Sequence, residues 1–577
     1  MRPRRYGVSA LVTALAMAGI GVCAAAPVAS GEVAGRTETV YSTSSPVTSV
    51  VASKVTLAVP LPPGSLPHPQ ACDTLSYLRW RAVDGPRSSA DAERVLVAQP
   101  GVFEGAGAFD SVARNTVASA AESGRYIEFW ALDRRSNCLE DHTGVAAALR
   151  TGSFDTAADY YFRGVEADGR RFSGYAEGAA TAWLRDQGLA QTLRDEYDVL
   201  RIEFPDQAVR KRKVLCGGHS LGGFVTGYFA EWDFDGDPAT TDDAGYNQCS
   251  GYFALDTTIR AGLSLRGLQV PELPAPIAGS VEAVSLRLDT ALPVLRLPAV
   301  INPETTNLLA LAGLAARLSP DGVNDLVRRL PDNPNVAATL RTLLSQDAAM
   351  FVTGQPDVRD LNATNEAVLG AILDDNSQPL GFLQASVGFP IGGPIGPKSF
   401  PLPDSIALSP LVMGMFGDAP KVSPTVYHPD TLYRWADYDD TAELIAPYTS
   451  STSEVTAIGE LARSLCEPPL DFTEWYFPTR LSLDLQQTTA PSFAVHHLHL
   501  DGVDRNPILT FRSSGGIPVA DSGSPQDEVI HLPGYNHIDV LTAAAHQNDG
   551  RPEVVSTRLA EFATGAFAGR PRTLPTG

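Results

Sequence analysis

Short apolar runs alternate with amphipathic segments in two parts of the chain, residues 71–258 and 481–577. A run with every position apolar predicts a strand buried on both faces, and an alternating run predicts a half-buried strand. Such runs lie at 75–82, 95–98, 126–132, 214–216, 251–257, 507–511 and 528–532. Segments with helical spacing follow several of them, at 109–122, 175–200, 224–230 and 553–567. Strands that alternate with helices predict an α/β fold, with a mostly parallel sheet covered by helices on both faces.

The pattern changes between residues 259 and 480, where proline-rich connectors separate apolar helical segments. A stretch rich in glycine and proline, 388–403, predicts an irregular loop. The helical segments lie at 306–318, 336–350 and 366–373. We interpret 259–480 as a large, mainly helical cap inserted into the core, because loops grafted on a scaffold commonly carry binding functions. The alternative is a separate domain of unrelated purpose.

The first thirty residues have the pattern of a secretory signal peptide, 1–30. Arg2, Arg4 and Arg5 precede an apolar run over 8–22, which is followed by small residues. That run is shorter than the ~20 residues that a membrane-spanning helix needs. We therefore expect a secreted protein without a stable membrane anchor. The following segment, 31–70, begins with many Ser, Thr and Val residues and predicts a loosely ordered lead-in.

The composition is that of a globular protein, since 44% of the 577 residues are hydrophobic and 19% are charged. Acidic residues number 66 against 44 basic ones, which gives a net charge of -22 at pH 7. A chain this acidic is a poor partner for nucleic acids and for anionic membranes. The oligomeric state is not predicted by the sequence.

Five of the six cysteines follow the predicted signal peptide, and export to an oxidising compartment permits disulfides. Cys216 lies in a predicted core strand, where a buried free thiol is the expectation. The other four cysteines allow three pairings. Among these we favour Cys72 with Cys138 and Cys249 with Cys466.

The segment Gly218–Gly222 reads GHSLG, the G-x-S-x-G pattern, and contains Ser220. An apolar strand precedes it and a helical segment follows, which is the context that a nucleophile elbow requires. Paired glycines on both sides allow the strand and the helix to approach closely. We therefore predict that Ser220 is a catalytic nucleophile. The alternative is a chance match in a glycine-rich chain.

A serine nucleophile needs a base within hydrogen-bond reach and a group that orients the base. His537 follows the last core strand on a glycine-containing loop, which is the position of the base when the chain order is serine, acid, histidine. His219 and the histidines at 496, 497 and 499 are less well placed. For the acid, Asp256 at the end of a core strand is the first candidate, Asp521 the second and Asp504 the third. Each could instead cap a loop.

Acyl transfer also needs backbone N–H donors directed at the developing oxyanion. We predict one donor at Leu221, the residue after the nucleophile. The second would come from Val102 or Phe103, because the Pro100-Gly101 turn follows a core strand. The alternative is that this turn is only a connector.

An acidic loop places Asp233, Asp235 and Asp237 at alternate positions, as calcium sites do. The loop lacks the glycine and glutamate positions of an EF-hand. A solvated acidic loop is therefore favoured over a calcium site, and no metal or other cofactor is expected.

Four segments together resemble the α/β-hydrolases, in particular secreted bacterial esterases and lipases. These segments are Pro100-Gly101, Asp133-Arg134-Arg135, Gly218–Gly222 and Gly534-Tyr535-Asn536-His537. The resemblance covers about 82–257 and 506–568 but not the predicted cap, and it departs from the family pattern at the acid. It implies the α/β-hydrolase fold and a serine hydrolase acting on small-molecule or lipid esters, with a structural role for the Asp-Arg-Arg loop. Amide hydrolysis by the same residues, or a non-catalytic protein that binds a lipid or a partner, are the alternatives.

Overall fold

The computed structural model describes residues 35–263, 291–296, 301–400, 421–440, 449–450, 453–469, 471–486 and 493–565. All of them fall within one structural unit, Gly35–Gly577. The predicted signal peptide, 1–30, lies outside the described residues.

The central element is a nine-stranded sheet. Thirteen strands are described, β1 to β13 in chain order: Arg36–Tyr41, Val50–Ala58, Thr74–Ala82, Val95–Gln99, Glu128–Leu132, Val214–His219, Gly251–Leu255, Phe389–Ile391, Ile395–Lys398, Lys421–Pro424, Arg434–Ala436, Ile508–Gly515 and Asp527–Asn536. The sheet has the order β1-β2-β3-β5-β4-β6-β7-β12-β13. Its first three strands pair antiparallel with their neighbours, and the other six, β5, β4, β6, β7, β12 and β13, pair in parallel with one another. The predicted mostly parallel sheet is therefore present.

Helices cover both faces of this sheet. Fifteen α-helices are described, α1 to α15 in chain order: Asp110–Glu122, Thr143–Thr151, Phe154–Arg163, Leu189–Glu203, Gln207–Lys213, Leu221–Glu231, Pro303–Leu318, Asp325–Arg329, Pro334–Leu344, Ala348–Thr353, Asn365–Leu373, Ile458–Cys466, Thr479–Asp484, Asp539–Thr542 and Val554–Thr564. On β4, Leu96 and Ala98 enter a core with α1 and α15, whereas Val95 and Val97 enter a second core with α4 and α6. Successive strand residues point to opposite faces, so a strand covered on both faces is apolar along most of its length.

The strand order and the strand–turn–helix at residue 220 define the α/β-hydrolase fold. The registers pair Gln99 with Gly218, His219 with Leu255, and Leu255 with Phe511. The carboxyl ends of β4, β6, β7 and β12 therefore meet at one edge of the sheet. In open α/β sheets this is the edge at which ligands bind.

Four local predictions differ from the structure. Residues 36–58 are not a loose lead-in, because β1 and β2 extend the sheet by antiparallel pairing with β3. The helix expected at 175–200 is regular only from Leu189, after two short 3-10 turns. The helix expected at 336–350 is two helices, α9 and α10. The irregular loop expected at 388–403 contains β8 and β9, each paired in a small two-stranded sheet.

Neighbouring strands β7 and β12 are separated in the chain by residues 256–507, which include the predicted cap at 259–480. The described part of this insertion carries α7 to α13 and the four short strands β8 to β11. It packs against the loop after β13, where Ile538 N–H donates to the Gln384 carbonyl at 3.1 Å. The role of the insertion as a cap stays a prediction.

The disulfides are Cys72–Cys138 and Cys216–Cys249, and Cys466 is a buried free thiol. The first pair was predicted, whereas the pairing of Cys249 with Cys466 and the free thiol at Cys216 were wrong. The reason is the sheet: Cys216 is on β6, and Cys249 comes two residues before the neighbouring strand β7.

Among the described residues, no helix has both the length and the apolar character needed to cross a membrane.

Candidate active site

Ser220 lies in the sharp turn between β6 and α6. Its backbone has φ 53° and ψ -122°, a strained conformation for a residue with a side chain. A Cβ atom at Gly222 would lie 2.1 Å from the Gln99 carbonyl oxygen, so only glycine lets α6 approach the end of β4. The turn places Ser220 at the carboxyl edge of the sheet, as the G-x-S-x-G pattern requires.

His537 and Asp256 are brought together at the same edge. The His537 Nδ1 lies 2.6 Å from Asp256 Oδ2, and each side chain is 1% exposed. Asp256 comes directly after β7, and His537 directly after β13. The Asp256 carboxylate also accepts backbone N–H bonds from Ser513 at 2.9 Å and from Ile517 at 3.1 Å. The two backbone N–H groups and the imidazole are thus three donors that hold the Asp256 carboxylate in place.

The other two acid candidates lie elsewhere. The Asp521 side chain is 63% exposed and pairs with Arg512 at 3.4 Å. Asp504 is exposed in a 3-10 turn, Gly502–Arg505. The structure brings only Asp256, among the three, to the His537 ring.

The glycine pair Gly515-Gly516, at the end of β12, was a signal in the sequence that pointed to Asp256. A Cβ atom at Gly516 would lie 2.1 Å from Asp256 Oδ2. The Gly515-Gly516 segment has no carboxylate of its own, and its lack of side chains makes room for the carboxylate of the neighbouring strand. The hydrogen bond from Ile517 N–H to Asp256 follows from this close approach.

Burial lowers the pKa of His537 below its ordinary value, and the neighbouring His219 lowers it further. Hydrogen bonding to Asp256 acts in the opposite direction. The imidazole is therefore neutral at neutral pH, with its Nδ1 proton directed at Asp256. Neither Ser220 Oγ nor His537 Nε2 makes a hydrogen bond to a described residue. Hydrogen bonds between nucleophile and base are often long in proteins without substrate.

The loop predicted to supply oxyanion donors lies against the elbow. Gln99, the last residue of β4, pairs with Gly218, and Phe103 has a positive φ of 59°. The N–H groups of Leu221, Val102 and Phe103 donate to no acceptor among the described residues. Their role in an oxyanion hole stays a prediction.

Arg134 holds this loop in place. Its guanidinium donates to the Pro100 carbonyl at 2.5 Å and to the Gly101 carbonyl at 2.9 Å. It also pairs with Glu474, a buried carboxylate of the inserted segment, at 2.6 Å. The Asp-Arg-Arg loop therefore has the structural role that the resemblance implies.

Sequence reasoning missed Glu104, which follows Phe103 on the same loop. Its Oε1 lies 2.6 Å from His219 Nδ1, and its Oε2 accepts the Gly101 N–H at 2.6 Å. The His219 Nε2 lies 2.9 Å from the main-chain oxygen of His537. No sequence motif includes Glu104, because its contact with the elbow depends on how the loop after β4 folds.

The acidic loop places Asp233, Asp235 and Asp243 close together, with carboxylate oxygens within 4.8 Å of one another. The predicted calcium candidate Asp237 is not part of this group. Asp233 accepts from the Gly236 N–H at 2.6 Å and pairs with His499 at 2.9 Å. Asp233 and Asp235 accept N–H groups of the loop itself, whereas Asp243 Oδ2 is buried and accepts no hydrogen bond from a described residue. Calcium binding by this loop stays the less favoured prediction.

A second group that could hold a cation consists of Glu140, His142 and Asp471. Glu140 and His142 are paired at 2.9 Å. Burial, together with Asp133, raises the pKa of Asp471 to about 8. The Asp471 oxygens also accept hydrogen bonds from the Gly107 N–H and from Asn137 Nδ2, each at 3.2 Å.

Comparisons with known proteins give only distant structural likenesses. No family model matches the chain, and no curated protein matches it. A solved epoxide hydrolase from Vigna radiata is 12% identical, with a TM-score of 0.31, over 85% of this chain and 95% of that one. The peroxisomal alpha-beta-hydrolase Lpx1 from Saccharomyces cerevisiae is 11% identical, with a TM-score of 0.31, over 92% and 93%. Potato epoxide hydrolase I is 11% identical, with a TM-score of 0.33, over 92% and 98%. The fold assignment here depends on the chain's own strand order.

Proposed function

We propose that the protein is a secreted serine hydrolase that cleaves carboxylic esters with Ser220, His537 and Asp256. The observation that carries this proposal is the buried 2.6 Å hydrogen bond between His537 and Asp256, at the sheet edge where the strained turn presents Ser220. The two disulfides and the signal-peptide pattern support secretion.

In the proposed reaction, Ser220 Oγ attacks the ester carbonyl while His537 Nε2 takes the serine proton. Asp256 keeps the Nδ1 proton of His537 in place and stabilises the imidazolium that forms. The N–H groups of Leu221 and of Val102 or Phe103 would bind the oxyanion. His537 then returns the proton to the leaving alcohol, and water hydrolyses the acyl-serine by the same route.

An apolar ester is the substrate class that the surroundings favour. Half-buried apolar side chains lie on the loops beside the three residues: Val102, Phe103, Leu221 and Ile517. Ligand clefts are lined mainly by such side chains, with a few polar groups that fix orientation. The same residues could cleave an amide, whose leaving amine also needs a proton from His537.

The epoxide hydrolases among the structural neighbours suggest a different reaction, which the serine disfavours. Attack of a carboxylate on an epoxide gives an ester that water can hydrolyse. Attack of the Ser220 hydroxyl on an epoxide would give an ether, which an activated water does not cleave. Serine at the elbow therefore favours acyl transfer over epoxide opening.

Labelling with a fluorophosphonate probe, followed by mass spectrometry of the peptides, tests the proposal. We expect one adduct, at Ser220, in the native protein and in the Ser123→Ala control, which changes an exposed serine. Ser220→Ala should not be labelled. Labelling at another serine, or none in folded protein, would overturn the mechanism.

A panel of p-nitrophenyl esters and matched p-nitroanilides then separates the alternatives. We expect higher kcat/KM for the esters, with a preference for apolar acyl groups. Faster cleavage of the anilides would favour an amide hydrolase. Turnover of neither series would favour a non-catalytic protein that binds a lipid or a partner.

A further inference from the structure

Both ring nitrogens of His219 face hydrogen-bond acceptors. Nδ1 lies 2.6 Å from Glu104 Oε1, and Nε2 lies 2.9 Å from the main-chain oxygen of His537. A neutral imidazole has one N–H and one bare nitrogen, so it can donate to only one of these oxygens. Donation to both requires the protonated ring.

The surroundings of Glu104 favour an ionised carboxylate as the partner. Its second oxygen accepts the Gly101 N–H at 2.6 Å, a bond that the ionised form strengthens. The pairing with His219 lowers the pKa of Glu104, and Glu104 in turn raises the pKa of His219. Burial of both groups opposes these shifts. A buried ion pair satisfies all three hydrogen bonds. A protonated Glu104 that donates to a bare Nδ1 would satisfy them as well, but the lowered pKa of Glu104 and the raised pKa of His219 favour the ion pair.

The imidazolium would stand directly beside the proposed base. The ring centroids of His219 and His537 are 4.4 Å apart, and the two rings are tilted by 36°. A positive charge at this distance disfavours a second positive charge on His537. The other charged groups that act on the two rings are Glu104 and Asp256, and both act in the opposite direction.

We propose that the His219–Glu104 ion pair is a positioning element for the proposed base. The imidazolium binds the His537 carbonyl, so it fixes the base loop, and its charge keeps the His537 ring neutral. Through Glu104 and the Gly101 N–H, the same pair ties the predicted oxyanion loop to the elbow. This inference rests on the proposed function for its catalytic meaning, although the charge states can be measured without turnover.

The kinetic test is the pH dependence of kcat/KM for a p-nitrophenyl ester. His219→Gln removes the cation and leaves Glu104 unpaired, so we expect the acid limb to move to higher pH by about one pH unit. The double variant His219→Gln with Glu104→Gln removes both charges and should move the limb less. A purely structural role would give a lower rate with the limb unmoved, and the second substitution would not restore it.

His68→Gln is a matched control. His68 lies between the Leu66 carbonyl, at 2.7 Å, and Asp73, at 3.0 Å, so it has the same kind of partners outside the site. The acid limb of the kcat/KM profile of His68→Gln should coincide with that of the native protein. An equal shift in His68→Gln would show a general effect of histidine loss and overturn the proposal.

An NMR titration of the histidine ring nitrogens separates this inference from the proposed function. We expect His219 to keep protons on both nitrogens at a pH where His537 carries one, in the native protein, whether or not any ester is cleaved. His219→Gln should raise the midpoint of the His537 titration. A neutral His219 below its ordinary pKa would overturn the inference, whereas failed fluorophosphonate labelling would overturn only the proposed function.

Discussion

His537 and His219 each face a carboxylate at 2.6 Å, yet their surroundings favour opposite charges. His537 donates from Nδ1 to Asp256, and its Nε2 has no partner among the described residues. His219 faces acceptors with both nitrogens. The number of acceptors around the ring, rather than closeness to a carboxylate, therefore distinguishes a base from a fixed cation. A base needs one free nitrogen, and a positioning cation needs none.

The largest expected effect is the difference in kcat between variants of the two histidines. His537→Gln removes the proposed base, and we expect kcat to fall on the order of 10⁵-fold. His219→Gln removes a positioning residue and should cost less than about 10²-fold at the pH optimum. Steady-state kinetics with one apolar p-nitrophenyl ester measure both, with far-ultraviolet circular dichroism as the folding control. Equal losses would mean that the assignment of roles is wrong.

The next test compares two of the three aspartates that the sequence left open as the acid. Asp256→Asn keeps the shape of the side chain but removes the negative charge that holds the Nδ1 proton of His537. We expect a loss of about 10⁴-fold in kcat, as the wrong tautomer gives in serine proteases. Asp521→Asn changes an exposed side chain and should alter kcat by less than about twofold. A larger loss for Asp521→Asn would exclude Asp256 as the acid.

A smaller effect is expected when the carboxylate is displaced but kept. In Gly516→Ala the new methyl group would lie 2.1 Å from Asp256 Oδ2, so the carboxylate or the loop has to move. A displacement of about 1 Å at a catalytic group costs about 10²-fold in rate. Gly459→Ala is the matched control, because a Cβ there meets nothing within 4 Å. Unchanged kinetics in Gly516→Ala would show that the carboxylate position is not critical.

The core strands were predictable because two-sided burial leaves a direct mark on the sequence. All five residues of β4 are buried, and the first four, Val95 to Ala98, form a continuous apolar run. The elbow was predictable from its glycines, which close packing requires at Gly222. His537 was predicted as the base because it follows the last core strand, in the chain order serine, acid, histidine. Each of these features is local in the sequence.

The features that sequence reasoning missed depend on contacts between distant segments. Strands β1 and β2 have mixed polarity, and only pairing with β3 fixes them. The Cys216–Cys249 disulfide follows from the adjacency of β6 and β7, which the spacing of cysteines does not reveal. Glu104 reaches His219 across 115 residues of chain, so no local pattern marks the pair.

The smallest expected effect is the position of the acid limb in the native protein. Burial and the neighbouring His219 lower the pKa of His537 below its ordinary value of 6.5. A lowered pKa keeps the base neutral to lower pH, so the midpoint of the acid limb of kcat/KM should lie below pH 6.5. The measurement is kcat/KM across pH 4 to 8, about the range in which histidine titrates. A midpoint above 6.5 would mean that Asp256 and Glu104 outweigh burial and His219. In that case His219 could not be the dominant charge beside the base. The proposal that its charge keeps His537 neutral would then be wrong.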